Sequence, residues 1–254
     1  PAEPLKLEKF HKYNIDGYII PKNDEFFSEH AANDRLKIIS NFSGSAGLAI
    51  VTKNKNYLFV DGRYTIQAKQ QSGSQFKIIE IHKFLPKNII KNLSLGFDES
   101  LFTKKNLYSY FGNSLKLIPI KNNLVDEIYK KKNSKRKLFY SLNNKHVGES
   151  HQSKINKISK SLKSNKADYL FISSPENVAW LMNIRGYDNP NSPIPNCRLL
   201  VNKNKKLFLI AEKKIVSKIV IENKFNKREI IEPVAFKNLI QKLNGNKFII
   251  DSLS

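Results

Sequence analysis

The chain has 254 residues, a length that allows one or two domains with real cores. A 40% hydrophobic share with 16 Phe and 10 Tyr excludes a disordered chain, and no apolar run nears the roughly 18 residues of a membrane helix; the lone Cys197 excludes an internal disulfide framework. The net charge of +22 invites a nucleic-acid reading, but all except six of the 44 basic residues are lysines, spread along the chain among abundant Asn and Ile, and read as a solvated basic surface.

The six arginines are Arg35, Arg63, Arg136, Arg185, Arg198 and Arg228, few for planar phosphate recognition. The N-terminal PAEPLKLEKF is charged and amphipathic and has no signal-peptide pattern. With the single cysteine, this points to the cytoplasm.

In chain order, Gly17–Ile20 reads as a strand stopped by Pro21. Ala46–Thr52 and Tyr57–Asp61 form a hairpin around the turn-like Lys53–Asn56. Thr65–Gln71 is a helix and Phe76–Ile81 a strand; Pro86 suits a helix start, Leu95–Asp98 is a short buried strand, and Leu115–Ile120 is another. A short helix begins at Asn123. From Lys130 to Asn144 the pattern turns basic and polar, and the domain junction is expected there, giving domains 1–140 and 141–254. The second half restarts with a helix over Glu149–Leu162, on which Ile155, Ile158 and Leu162 share a face. Then come a strand at Tyr169–Ile172, a helix opened by Pro175 and running through Met182, and a loop stiffened by Pro190, Pro193 and Pro195. A hairpin (Leu199–Asn202 with Lys206–Ala211), a helix, a strand at Glu229–Ile231, a helix at Ala235–Leu243 and a strand at Lys247–Ile250 finish the chain. The alternation argues an α/β class. Both halves follow one rhythm, which suggests structural duplication despite poor residue identity. The stop just after a strand, at Asp251–Ser254, reads as an interruption within a longer protein.

Three segments exceed what a generic core needs. Ile39–Gly47, with its serines and glycines before a strand, is either a backbone cradle for an anion or a turn whose small residues let strands approach. Val60-Asp61-Gly62-Arg63-Tyr64 places an arginine at a strand end, where its fork can clamp a carboxylate or simply pair with Asp61. Trp180–Pro190 holds the only Trp and the only Met. It is either a substrate-walling loop or a core-packed Trp180 with its connection. The histidines (His11, His30, His82, His146, His151) form no zinc-type pair. His146–His151 is the one metal-like grouping and reads as a helix entry. There is no phosphate-binding glycine loop and no nucleophile elbow, so no self-sufficient active site is visible.

Asn41-Phe42-Ser43-Gly44-Ser45-Ala46-Gly47, then Val60–Tyr64 with Gln67-Ala68, resembles the first domain of three-domain Xaa-Pro aminopeptidases. Asn123–Asp126 matches the segment that closes that domain, and Pro175–Gly186 with Asp188 and Pro193 is similar to the second domain's signature. The resemblance implies two consecutive creatinase/prolidase N-terminal-type domains, each a mixed β-sheet flanked by helices. It implies a metallo-aminopeptidase, a hydrolase removing the first residue from peptides with proline in second position. Two divalent metals, commonly manganese, would sit in a third, pita-bread domain after Ser254, so no catalytic residue and no metal ligand is expected here and the fragment alone is expected to be inactive. These domains would shape the peptide site and support a homodimer, without a membrane and without nucleic acid. By the same resemblance Arg63 reaches the mouth of the active site and contacts substrate, Asp188, Asn189 and the prolines line the face toward the catalytic domain, and Arg185 is structural. The competing expectation is an inactive basic module that binds nucleic acid or an acidic partner.

Overall fold

The computed structural model describes residues 9–28, 32–113, 115–129, 137–222 and 224–251. His30, Arg136 and the basic run Lys130–Lys132 lie outside the described residues. The chain divides into two compact units, residues 1–133 and 134–254.

In the first unit, strands β1 (Gly17–Pro21), β2 (Gly47–Thr52), β3 (Asn56–Val60), β4 (Lys77–Glu80), β5 (Ser94–Asp98) and β6 (Lys116–Ile120) form one sheet in the order β4-β3-β2-β1-β5-β6. β2 runs antiparallel to both β1 and β3, and the remaining neighbours are parallel. The helices are α1 (Arg35–Ser40), α2 (Thr65–Ser72), α3 (Pro86–Ile89), α4 (Lys104–Phe111) and α5 (Leu124–Ile128), after a helical segment over 9–13. Period-two alternation splits the strands between two cores. Tyr18 and Ile20 face Phe10, Leu36, Ile39, Leu124 and Val125, whereas Ile19, Leu95 and Phe97 face Phe111 and Ile90. With both faces covered, the central strands are apolar throughout, as a largely parallel sheet requires.

The second unit contains β7 (Tyr140–Ser141), α6 (His151–Ser164), β8 (Tyr169–Ile172), α7 (Pro175–Met182), β9 (Ile184–Arg185), β10 (Arg198–Asn202), β11 (Leu207–Ile210), α8 (Ser217–Ile221), β12 (Ile230–Ile231), α9 (Phe236–Lys242) and β13 (Phe248–Ile249). Its main sheet runs β12-β11-β10-β8-β13, and β7 pairs with β9 apart from it. Phe139 is fully buried in this unit's core with Val178, Met182 and Leu199, which places the division ahead of residue 140.

The suggested duplication is present in the topology. β8, β10, β11, β12 and β13 repeat β1 to β5 in neighbours and in direction. Gly17 pairs with Thr52 and Leu95, and Tyr169 with Asn202 and Phe248, so Gly17 and Tyr169 are equivalent. The residue before each is an aspartate doing the same work. Asp16 accepts from the Ser94 amide at 3.0 Å and from Lys53 Nζ at 3.1 Å. Asp168 accepts from the Lys247 amide at 2.9 Å and from Lys203 Nζ at 2.7 Å. Even the helix caps repeat: α1 ends on Asn41 (φ 63°) and α7 on Asn183 (φ 55°), both left-handed, a conformation asparagine tolerates better than most residues.

α1 and α4 escape the sequence expectation. α1 is only six residues long, and its buried pair of Arg35 with Asp126 joins positions 91 residues apart. Arg35 is 5% exposed. Its Nε and Nη2 engage both oxygens of Asp126, Nη2 also reaches Glu25, and the cation thereby ties α1 to α5.

Candidate functional site

The corner after β3 carries the expected arginine. Asp61 leaves the strand in extended conformation and caps a short 3-10 turn, Gly62–Tyr64, its carboxylate accepting from the Arg63 amide at 3.0 Å. The same oxygen accepts from Arg63 Nε at 2.9 Å, and the other faces His82 Nε2 at 3.4 Å. The Arg63 side chain and then its amide hold the Asp61 carboxyl well below the usual carboxylate range. Arg63 therefore pairs with Asp61, the local reading of the motif, while its side chain stays 75% exposed, with the guanidinium 5.5 Å from the centre of the Tyr64 ring.

Two motifs that are separate in sequence meet here. Tyr64 Oη and Ser45 Oγ lie 2.8 Å apart, and the Tyr64 ring meets Phe42 edge-on at 5.8 Å. Ser43 donates its amide to Gln71 Oε1 on α2 at 2.9 Å, and its hydroxyl accepts from Gln67 and Gln71. Gly44 packs onto the Phe42 ring so closely that a Cβ would overlap it. The serine–glycine stretch thus serves as a close-packed brace that fixes Tyr64 beneath Arg63. Of its two readings, the tight turn matches this geometry. The whole assembly lies at the end of the sheet where β1, β3, β4 and β5 finish, the end at which open α/β sheets usually bind ligands.

In the second unit the Trp180 segment behaves differently from one expectation. Trp180 is 62% exposed, so it is not a core residue; Met182, two residues on, is fully buried in its place. The α7 helix turns Val178, Leu181 and Met182 inward, and its spacing puts Trp180 outward. Lys154, itself 5% exposed, donates to the Trp180 carbonyl at 2.5 Å and to Asn183 Oδ1 at 2.8 Å, capping the helix end. Arg185 Nη1 donates to the Ala179 and Ile184 carbonyls, a structural task. Asp188 and Asn189 accept amides of their own loop, from Asn196 at 2.8 Å and Asn191 at 3.0 Å.

No three His, Cys, Asp or Glu side chains gather into a metal-holding group among the described residues. His151 is buried and its Nδ1 lies 3.2 Å from Lys224 Nζ; burial, then Lys224 and Lys154, push the ring down to about 4. A cation has no place beside those two lysines. Cys197 is buried, and burial pushes its thiol up, out of the reactive range. No helix among the described residues is long and apolar enough to cross a membrane.

Two family models described as creatinase/prolidase N-terminal domain match, one over residues 7–128 and one over residues 130–254. A probable Xaa-Pro aminopeptidase P of Coprinopsis cinerea is 30% identical over 224 residues, covering 82% of this chain and 36% of that protein. Xaa-Pro aminopeptidase 1 of Dictyostelium discoideum is 29% identical over 242 residues, covering 84% of this chain and 38% of the relative. The chain spans well under half the length of these relatives. Among solved structures, the X-prolyl aminopeptidase of Caenorhabditis elegans, described as a cytosolic enzyme with a di-nuclear active site, superposes with a TM-score of 0.82 at 23% identity, over 98% of this chain and 45% of that one. That likeness shows the fold.

Proposed function

The chain belongs to the creatinase/prolidase N-terminal domain family, one member in each half, and from that premise we propose that it is the non-catalytic N-terminal region of an Xaa-Pro aminopeptidase. The observation that carries this reading is the end-to-end match of both units to that family, in a chain whose relatives are named Xaa-Pro aminopeptidases. The complete enzyme would remove the first residue from peptides with proline in second position. Among the described residues the donor set does not fit the pair of divalent metals, manganese by expectation, that such an enzyme uses. Those ions would belong to sequence outside these residues. The complete protein would work in the cytoplasm as a homodimer.

The contribution of this chain is a fixed surface cation. Arg63 is anchored at Nε by Asp61 and rests on a Tyr64 that Ser45 and Phe42 brace, so its position costs little ordering when a peptide arrives. A guanidinium held this way suits a peptide carbonyl or carboxylate beyond the scissile bond.

The test compares the 254-residue chain with the longer gene product, each with manganese and an Xaa-Pro peptide. The short chain is expected to give no cleavage and the longer product to give turnover; cleavage by residues 1–254 alone overturns the assignment. In the longer product, Arg63→Ala is expected to impair turnover of long peptides more than of dipeptides. An equal loss at all lengths makes Arg63 structural.

A further inference from the structure

Three basic side chains from three elements converge in the second unit. His151 opens α6, Lys154 follows on the same face three residues on, and Lys224 lies just beyond α8, where its amide closes the helix end by donating to the Ile219 carbonyl at 3.0 Å. His151 and Lys154 are buried, whereas Lys224 is half-buried and still reaches solvent. Lys154 commits its ammonium to the Trp180 carbonyl and to Asn183 Oδ1.

Lys224 has a different partner. Its Nζ lies 3.2 Å from His151 Nδ1, and two basic nitrogens in contact do not both keep a full set of protons. The carboxylates that act on the two lysines are engaged elsewhere. Glu149, which favours the charge on Lys154, accepts from Ser153 Oγ at 2.5 Å and from Lys157 Nζ at 2.8 Å. Glu222, which favours the charge on Lys224, accepts the Ser141 amide at 3.0 Å. Arg185 adds positive charge against Lys154. Burial lowers both lysines from their ordinary range, and a lysine so placed sheds its proton readily. Lys154 has two oxygen acceptors to hold its charge; Lys224 has an imidazole, so Lys224 is the one that gives way.

We propose that Lys224 is a modification site, an amine held by His151 as a nucleophile toward acyl thioesters. The ammonium first releases one proton to water. Nζ then attacks the thioester carbonyl carbon, the amide C–N bond forms and the C–S bond breaks. The second proton that Nζ loses passes through His151 Nδ1 to the departing thiolate, so the products are an amide and a free thiol. The amide keeps one N–H for Nδ1 and carries no charge, which relieves the repulsion with Lys154. The inference is independent of the peptidase reading, and cleavage of Xaa-Pro peptides bears on neither outcome.

Acylation kinetics resolved by site test it, on the longer gene product and on the 254-residue chain, with an acetyl thioester near neutral pH and peptide mass spectrometry as the readout. Lys224 is expected to react at least about fivefold faster than Lys160 and Lys163, which are exposed on α6, and its rate to level off at a lower pH than theirs. Urea is expected to abolish the preference. His151→Leu is expected to remove it while the rates at Lys160 and Lys163 stay unchanged. Equal rates at the three lysines in the longer product overturn the proposal, as does a preference confined to the 254-residue chain, one that persists in urea, or one that survives His151→Leu. Coincident pH profiles for Lys224 and Lys160 in the unsubstituted protein overturn it independently of any variant.

Discussion

The corner after the third strand of each sheet is the same piece of backbone carrying different chemistry. By register, Asp61-Gly62-Arg63 in the first unit corresponds to Glu212-Lys213-Lys214 in the second, and Glu80 corresponds to Glu232. In the first unit Asp61 caps its own turn and holds Arg63 by Nε. In the second, the cap comes from across the sheet, where Glu232 accepts the Lys213 amide at 3.0 Å. A turn can be closed from either side at similar cost, so the choice is open to other demands. Only the first solution also fixes a planar cation above a braced aromatic ring. The scaffold repeats; the exposed fork does not.

The buried contrast between the units should give the largest effects. Arg35→Met leaves Asp126 without its fork and should cost the first unit about 2–4 kcal/mol, read by denaturant unfolding with unit-resolved hydrogen exchange. Leu124→Ala, in a closed core, should cost about 2–4 kcal/mol, whereas Ile249→Ala, at a half-buried position of β13, should cost under about 1 kcal/mol in the 254-residue chain. Equal costs would mean that the surroundings of Ile249 are as well packed as those of Leu124.

Acid should separate the units next. The folded-state value of His151 lies at about 4, below its ordinary 6.5, so the unfolded chain takes up the proton first. The stability contributed by the neutral ring is complete above pH 6.5 and drains as the pH falls toward 4. The second unit should therefore weaken in that window while the first holds, and His151→Gln should flatten the slope in a pH series of unfolding midpoints. The paired aspartates act lower. Backbone and lysine partners hold Asp16 below 3.8, and lysine and backbone partners do the same for Asp168, so both contributions persist above that value and disappear as the pH falls through the folded-state values. Asp16→Asn and Asp168→Asn should each remove part of the acid-limb slope in their own unit. The smallest stability change belongs to Arg63→Ala, within about 0.5 kcal/mol, because the side chain is largely in water. Its effect is expected in turnover.

The strands of the two main sheets were legible in sequence because each is a short apolar run bounded by a turn signal, whereas the two-residue strands β7 and β9 were not. Tyr169–Ile172 is expected and observed over the same residues, and Gly17–Ile20 is extended by Pro21 alone. α1 was not legible: six residues hold too little periodicity, and what secures the helix is a carboxylate 91 positions away. The Arg63 corner was legible as a motif, yet its support was not. Nothing in Asn41–Gly47 alone indicates that Ser45 would meet Tyr64 or that Ser43 would meet Gln71. Of the two readings of the Trp180 segment, core packing of the indole does not hold, and the spacing to Val178, Leu181 and Met182 already places Trp180 on the opposite side of α7.

The chain's one indole also decides how this protein looks to a spectrometer. Trp180 sits largely in water on the outward side of α7, with the Lys154 ammonium 4.1 Å from its ring centre. Its emission will already be red-shifted and quenchable by acrylamide before any denaturant is added. An unfolding curve followed by that emission will therefore show little amplitude and none from the first unit, which must be followed by circular dichroism or tyrosine absorbance instead.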